Sequence, residues 1–427
     1  MTPSLEAGIA RTNITPPVGI ATRGFAGRGP ASGVHEDLTA TALVLRCGDT
    51  MAALIGLDLC LVDRGETLAW REAIAARTGV PVEHQVVAAS HTHYGPAQTD
   101  RDDPLVPAYQ ALLHERLVAV AEEAAGRLQP VQMGVGESTT WIGVNRRERR
   151  PDGVVILGRN PDGPVDRAVL VVRLDDLQGR PVAVIANAAC HPVCGTSATR
   201  ELSPCWPGFA RKVVEQEAGV PVLFLQGASA DVNPLAQAVG HDSSEKAGAE
   251  AGAAMLAAWQ AAEVAPAQGL RVTSRLLELP RYTYGSAEQA SLLLEQNRRD
   301  LETTQNPGMR WWCNLQIEKL EEVLAQYRGE QVLEPMQAEV TGWKLGPLGL
   351  ATCPGEIFCQ IGMAVKERAP LQPTLFAAYG NGSIGYVPTP DQYAEGGYEV
   401  DRACRVDPAA AGIIEEGCLA ALAEAAN

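Results

Sequence analysis

The chain is 427 residues long, 46% hydrophobic and 20% charged, with a net charge of −16. That is a globular composition with enough apolar residues for a large core. The acidic balance, without a long basic run, argues against nucleic acid and anionic membranes as partners, and no run of 18 apolar residues marks a membrane span.

The N-terminus MTPSLEAGIARTNITPP lacks a basic start followed by an apolar block. It does not read as a secretory signal, so a cytoplasmic location is the default expectation. The ten cysteines are scattered with no C-x-x-C pair, which points to reduced, mostly buried thiols.

Taken in chain order, apolar runs alternate with Ala-rich helical runs at 67–77, 107–127 and 244–264, and another closes the chain at 408–425. This predicts an α/β fold, with mixed β-sheets flanked by helices in one large domain over 1–427. Residues 286–328 stand apart. They are polar, with Leu and Ile at helical spacing, and predict two surface helices broken near Asn306, forming a helical insertion that acts as a cap or interface.

Five predicted strands empty into turns that carry chemistry. Gln85–Ala89 runs into SHTHYGP, and PVAVIANAA (181–189) into Cys190-His191-Pro192. PVLFL (221–225) runs into QGASADVNP, LGLAT (348–352) into Cys353-Pro354-Gly355-Glu356, and TLFAA (374–378) into YGNGSIGYVPTP. Strand ends on a rigid sheet are common sites of catalysis, so these five are expected to converge.

Only seven histidines are present, and two of them, His91 and His93, are one residue apart. On an extended segment such a pair points to one side, whereas on a helix it would diverge by about 200°. Neutral imidazole is the commonest zinc ligand. A third histidine, His191, also ends a strand, and Glu356 opens an apparent helix after Pro-Gly. Each has an ordinary structural reading; together the three make a metal site the better one. His35, His84, His114 and His241 read as structural or surface residues.

In their order, these motifs resemble those of the neutral (non-lysosomal) ceramidase family. The opening AGIARTNITPPVGIATRGFAGR is similar to that family's start, and SHTHYGP to its histidine signature. ANAACHPVCGT, FLQGASADVNP, PGEIF and YGNGSIGYVPTPDQYAEGGYEVD follow in the family's order, so the likeness spans about residues 7–403. The resemblance is to the catalytic part alone, since 427 residues leave no room for the β-sandwich domain that follows it in full-length members.

The resemblance implies one Zn2+ ion held by His91, His191, Glu356 and Tyr386, with Arg146 and Tyr398 as active-site groups; His93, close to the metal but not on it, is expected to shuttle protons or donate to the oxyanion. Arg147 beside Arg146 leaves that register open by one, and an acid is expected where Cys205 stands. Asp231 and Asn233 are candidates for substrate binding or for supporting the ligands. For Asp231 the readings are orientation of a metal-bound histidine, or a turn that closes the strand.

The activity implied is hydrolysis of a carbon–nitrogen amide bond in a small N-acyl substrate by metal-activated water, without stable membrane insertion. Homo-oligomer formation stays open. The departures from the family pattern make a smaller soluble amide as plausible as ceramide. The rival readings are a zinc-dependent esterase or lactonase on the same site, a thiol enzyme using Cys190 or Cys194, and a non-catalytic metal-binding protein.

Overall fold

The computed structural model describes residues 4–427. Two β-sheets face one another. The larger runs in the order Val222–Gln226, Pro181–Ala188, Ala168–Asp176, Gln129–Thr139, Leu5–Asn13, Thr39–Cys47, Thr50–Leu57 and Gln85–Ala89, with Ala265–Pro266 paired to Gln129–Thr139. The pair at each end is parallel and the rest are antiparallel. The smaller sheet runs Leu270–Leu279, Met336–Leu345, Leu348–Thr352, Thr374–Ala377, its last pair parallel.

Strand side chains alternate between faces, and here both faces are buried. Leu43 and Leu45 enter the core between the sheets with Leu54, Val172, Trp343 and Leu350. Ala42 and Val44, one residue away, pack instead into the helix-side core with Leu113 and Leu117. Burial on both faces is why these strands read as unbroken apolar runs.

Helices cover the outer faces. Arg64–Thr78 starts where Asp63 accepts the Gly65 amide at 2.8 Å and ends at Gly79, whose φ of 76° suits a residue without a Cβ. Val106–Gly126 packs beside it, Cys205–Ala218 lies against Asp242–Ala261, and Ala410–Ala426 lies on the smaller sheet. The mixed α/β architecture is the expected one. Among the described residues, no helix is long and apolar enough to cross a membrane.

The strand ends are laced together by backbone. Ala378 donates to Gln226 at 2.9 Å, Gly227 to Ala188 at 2.9 Å, and Ala89 to Tyr379 at 3.2 Å. Asn381 imitates a strand neighbour: its side chain accepts from the Val87 amide at 2.8 Å and donates to the Gln85 carbonyl at 3.1 Å. The edge strand of one sheet is thereby tied to the loop that leaves the other.

The segment expected as two surface helices forms Ala287–Thr303 and Pro307–Tyr327, capped by Ser286 and Asn306. It buries a small core of its own around Leu294, Leu320 and Val323. Its second helix docks through Gln316 and Lys319, which donate to the Arg402 and Cys404 carbonyls.

Candidate metal centre

Three of the strand ends deliver His91, His191 and Glu356 to one buried point. Gln85–Ala89 stops before the histidine pair, so the extended geometry expected for His91 and His93 is not what aligns them. His91 has a φ of 66°, in the left-handed region that non-glycine residues seldom occupy. This twist brings Nε2 of His93 within 3.3 Å of Nε2 of His91. The loop is fixed from outside, because the His93 amide donates to Pro192 and the His191 amide to Val232.

The tautomers follow from the partners. Nδ1 of His91 lies 2.7 Å from the Cys60 carbonyl, and Nδ1 of His191 lies 2.8 Å from the Ser229 carbonyl. A carbonyl only accepts, so each Nδ1 carries the proton and each neutral ring is left with a lone pair on Nε2. Those two Nε2 atoms face each other at 2.9 Å. Oε2 of Glu356 sits 3.3 Å from one and 3.5 Å from the other, and it is buried with no hydrogen-bond partner. Three donor atoms brought this close call for a shared cation, which a proton or a metal ion can supply.

The electrostatics agree. Burial opposes charge on His91, but Glu356 and then Cys60 outweigh it and raise its pKa to about 10. The cluster thus favours positive charge at this point. His191 is pushed the other way, by burial first and then by Arg146 and the other two histidines.

Glu356 was expected to open a helix. The helix starts instead at Cys359, and Glu356 lies in a two-residue strand paired in register with Tyr386. That register sets the Tyr386 hydroxyl against the Glu356 carboxylate. Gly355 is needed for the turn: its φ is 87°, and a Cβ there would meet Ile384 at 2.5 Å.

Arg146, not Arg147, faces the cluster. Its Nη2 donates to the Tyr386 hydroxyl at 3.0 Å, its Nη1 to Asn233 at 3.2 Å, and its Nε to Glu399 at 2.7 Å. Arg147 takes the other Glu399 oxygen at 2.7 Å and the Gly396 carbonyl at 2.8 Å. Asn233 thus supports Arg146. Tyr398 begins a short π-helical turn and sets its ring edge-on to both Tyr386 and Trp312.

Asp231 does not orient a histidine. It accepts the Cys359 amide at 2.8 Å and the Asn145 side-chain amide at 3.0 Å, tying the start of the Cys359–Arg368 helix to the Gly143–Arg149 strand. The orienting acceptors are the carbonyls of Cys60 and Ser229, which carry no side-chain signature in sequence. Tyr379 was also missed. It stacks on His91 with ring centroids 4.3 Å apart. The signal available for it was its place at the start of the YGNG turn.

His93 stands at the edge of the cluster. Its ring packs edge-on to Phe25, and Gly24 leaves room for it, since a Cβ there would lie 2.7 Å from His93. Burial, then His91, Arg146 and Arg28, hold its pKa well below the ordinary imidazole range, so it is a neutral base. Beside these residues opens a cavity of about 1010 Å³. Trp311, Trp312, Leu315 and Met336 form an apolar part of its wall, so the helical insertion lines the site.

Two other groups carry less. His35, Glu201 and His241 bring donor atoms together, but the imidazoles are stacked at 4.3 Å with a 17° tilt, so their in-plane lone pairs do not converge. Among the described residues, the nine buried cysteines carry free thiols. The Cys190 thiol is pushed well up by burial, and Cys194 by a hydrogen bond to Cys205 and by burial, which disfavours the thiolate at both. Cys205, where an acid was expected, starts a helix with its sulfur 3.4 Å from the Ser244 hydroxyl.

No family model and no curated protein matches the chain. Solved structures do. A crystal structure of neutral ceramidase from Pseudomonas aeruginosa superposes with a TM-score of 0.77 at 20% identity, covering 99% of this chain and 75% of that one. A ceramidase complexed with C2 gives 0.76 at 19%, with the same coverage. The protein is therefore built on the fold of the neutral ceramidases.

Proposed function

We propose that the protein is a zinc-dependent hydrolase that cleaves an amide bond in an N-acyl substrate. The observation that carries this reading is the convergence of two Nε2 lone pairs and an unpartnered Glu356 oxygen at one buried point beside a large cavity. The shared fold with neutral ceramidases favours an amide over an ester. His91, His191 and Glu356 would hold the ion, with the Tyr386 phenol beside Glu356 as the fourth ligand. Zinc in such a site supplies a Lewis acid and brings the pKa of water towards about 7.

The surrounding side chains fit the remaining work of amide hydrolysis. His93 is neutral and unpartnered at Nδ1, so it can accept a proton from water and return it to the leaving nitrogen. Arg146 is held rigid by Glu399, Tyr386 and Asn233, which suits it to stabilise negative charge on the carbonyl oxygen. Tyr398 stands next to Arg146, its ring centre 5.8 Å from the guanidinium, with its phenol protonated, because burial, chiefly, and then Glu356 raise its pKa.

The test is hydrolysis of an N-acyl amide panel, with acid and amine products identified by mass spectrometry, before and after chelation. The reading predicts loss of turnover on chelation and recovery with zinc. Cleavage of esters but of no amide would replace it with the esterase reading, and turnover indifferent to chelator would overturn it.

A further inference from the structure

Four arginines line the cavity, Arg23, Arg28, Arg402 and Arg405, and among the described residues none forms an ion pair with a carboxylate; Arg28 is the one packed on Phe25, the ring that meets His93. Fully buried arginines elsewhere in the chain meet carboxylates: Arg71 meets Glu339, Arg146 and Arg147 share Glu399, and Arg211 meets Asp58. Arg28 does not. It is half-buried in the cavity wall, and its three hydrogen bonds go to neutral oxygens: the Thr22 hydroxyl at 2.9 Å, the Thr199 carbonyl at 3.2 Å and the Arg23 carbonyl at 3.0 Å. A guanidinium has five N–H donors, so two remain. Burial lowers its pKa to about 10, offset only in part by Tyr94 and Cys60.

The placement is close to the chemistry. The Arg28 guanidinium lies 5.2 Å from the centre of the Phe25 ring, and that ring touches His93 on its other side. Of the five acids that line the cavity, Glu356 belongs to the metal cluster, Asp102 is exposed, and the other three accept backbone amides. Asp63 caps a helix, Asp103 accepts the Ala21 and Leu105 amides, and Asp100 accepts the Asp102 amide.

We propose that the substrate of this site carries a carboxylate a few bonds from the scissile amide, as an N-acylated amino acid does, and that Arg28 receives it. The inference deepens the amide-hydrolase reading and rests on it. One N–H on each Nη is left to bond a carboxylate. Trp312, Leu315 and Met336 offer an apolar wall to the acyl chain. Hydrolysis adds water across the amide, breaks the carbon–nitrogen bond and releases a carboxylic acid and a free amino acid.

The test is calorimetric binding of N-octanoylglycine and of its neutral analogue N-octanoylglycinamide to the purified, zinc-supplemented protein, with turnover followed separately. The carboxylate should bind at least about tenfold tighter. The margin should fall below twofold in Arg28→Gln and survive in Arg28→Lys, with melting curves confirming that both variants fold. Equal affinities in the native protein, no binding of either compound, or a margin that persists in Arg28→Gln would overturn the proposal. A margin without turnover would retain the anion site and remove the amide reading, so the two fail separately.

Discussion

His91 and His93 stand two positions apart in the chain, yet they meet different surroundings. His91 gives its Nδ1 proton to a carbonyl and turns its lone pair on His191 and Glu356; His93 has no partner at Nδ1 and borders the cavity. Metal analysis should separate them. His91→Ala is expected to lose both zinc and activity. His93→Ala should keep zinc near one equivalent while kcat falls by roughly 10²–10⁴-fold. Equal zinc loss in the two variants would refute the division. Arg146→Lys tests the neighbouring charge: a lysine cannot span Glu399, Tyr386 and Asn233 at once, so kcat/KM should fall by about 100-fold or more with zinc retained. His91, His191 and Glu356 were legible together because each closes a predicted strand, though each motif is weak alone; Arg146, Tyr386 and Tyr398 came only from the family resemblance. The left-handed turn at His91 and the carbonyls of Cys60 and Ser229 were not legible, since any residue supplies a carbonyl.

At the scale of elements, pairing rather than helix geometry positions the carboxylate. Glu356 owes its place to a two-residue strand shared with Tyr386, while the helix after it is anchored by Asp231. Sequence put Glu356 at a helix start because Pro-Gly before an apolar run is a common helix signal; the intervening bridge to residue 386 is a contact no local pattern reveals. Asp231→Ala should therefore destabilise the fold by roughly 1–3 kcal/mol in chemical denaturation, with bound zinc unchanged. Zinc loss without destabilisation would instead mark Asp231 as acting on a ligand. The helical insertion makes a further prediction. Trp312 meets Tyr398 edge-on at a ring-centroid distance of 5.4 Å and lines the cavity. Removing an aromatic contact worth about 1 kcal/mol should raise KM about fivefold in Trp312→Ala, with kcat changed little. A fall in kcat at constant KM would contradict a role in substrate contact.

Across the whole molecule, the strands and helices were legible because their apolar runs are long and the turns are marked by Gly and Pro. The strands Gln85–Ala89 and Leu348–Thr352 lie where the sequence places them, and Pro181–Ala188, Val222–Gln226 and Thr374–Ala377 within a residue. Sheet order was not legible, because strands buried on both faces carry no alternation to fix a partner. Nor was the tie through Asn381, which joins Val87 to a residue 294 positions away. On the proposed reading, stability should also depend on the ion. Zinc at about 100 times its Kd should add roughly 2.7 kcal/mol of stability, seen as a rise in melting temperature that is absent in Glu356→Ala. The most direct measurement is a titration of stripped protein with zinc, reading bound metal and amide hydrolysis together. Activity should rise in proportion to bound zinc and level off at one equivalent per chain. Full activity in the stripped protein, or zinc bound tightly at one equivalent without turnover of any amide, would contradict it.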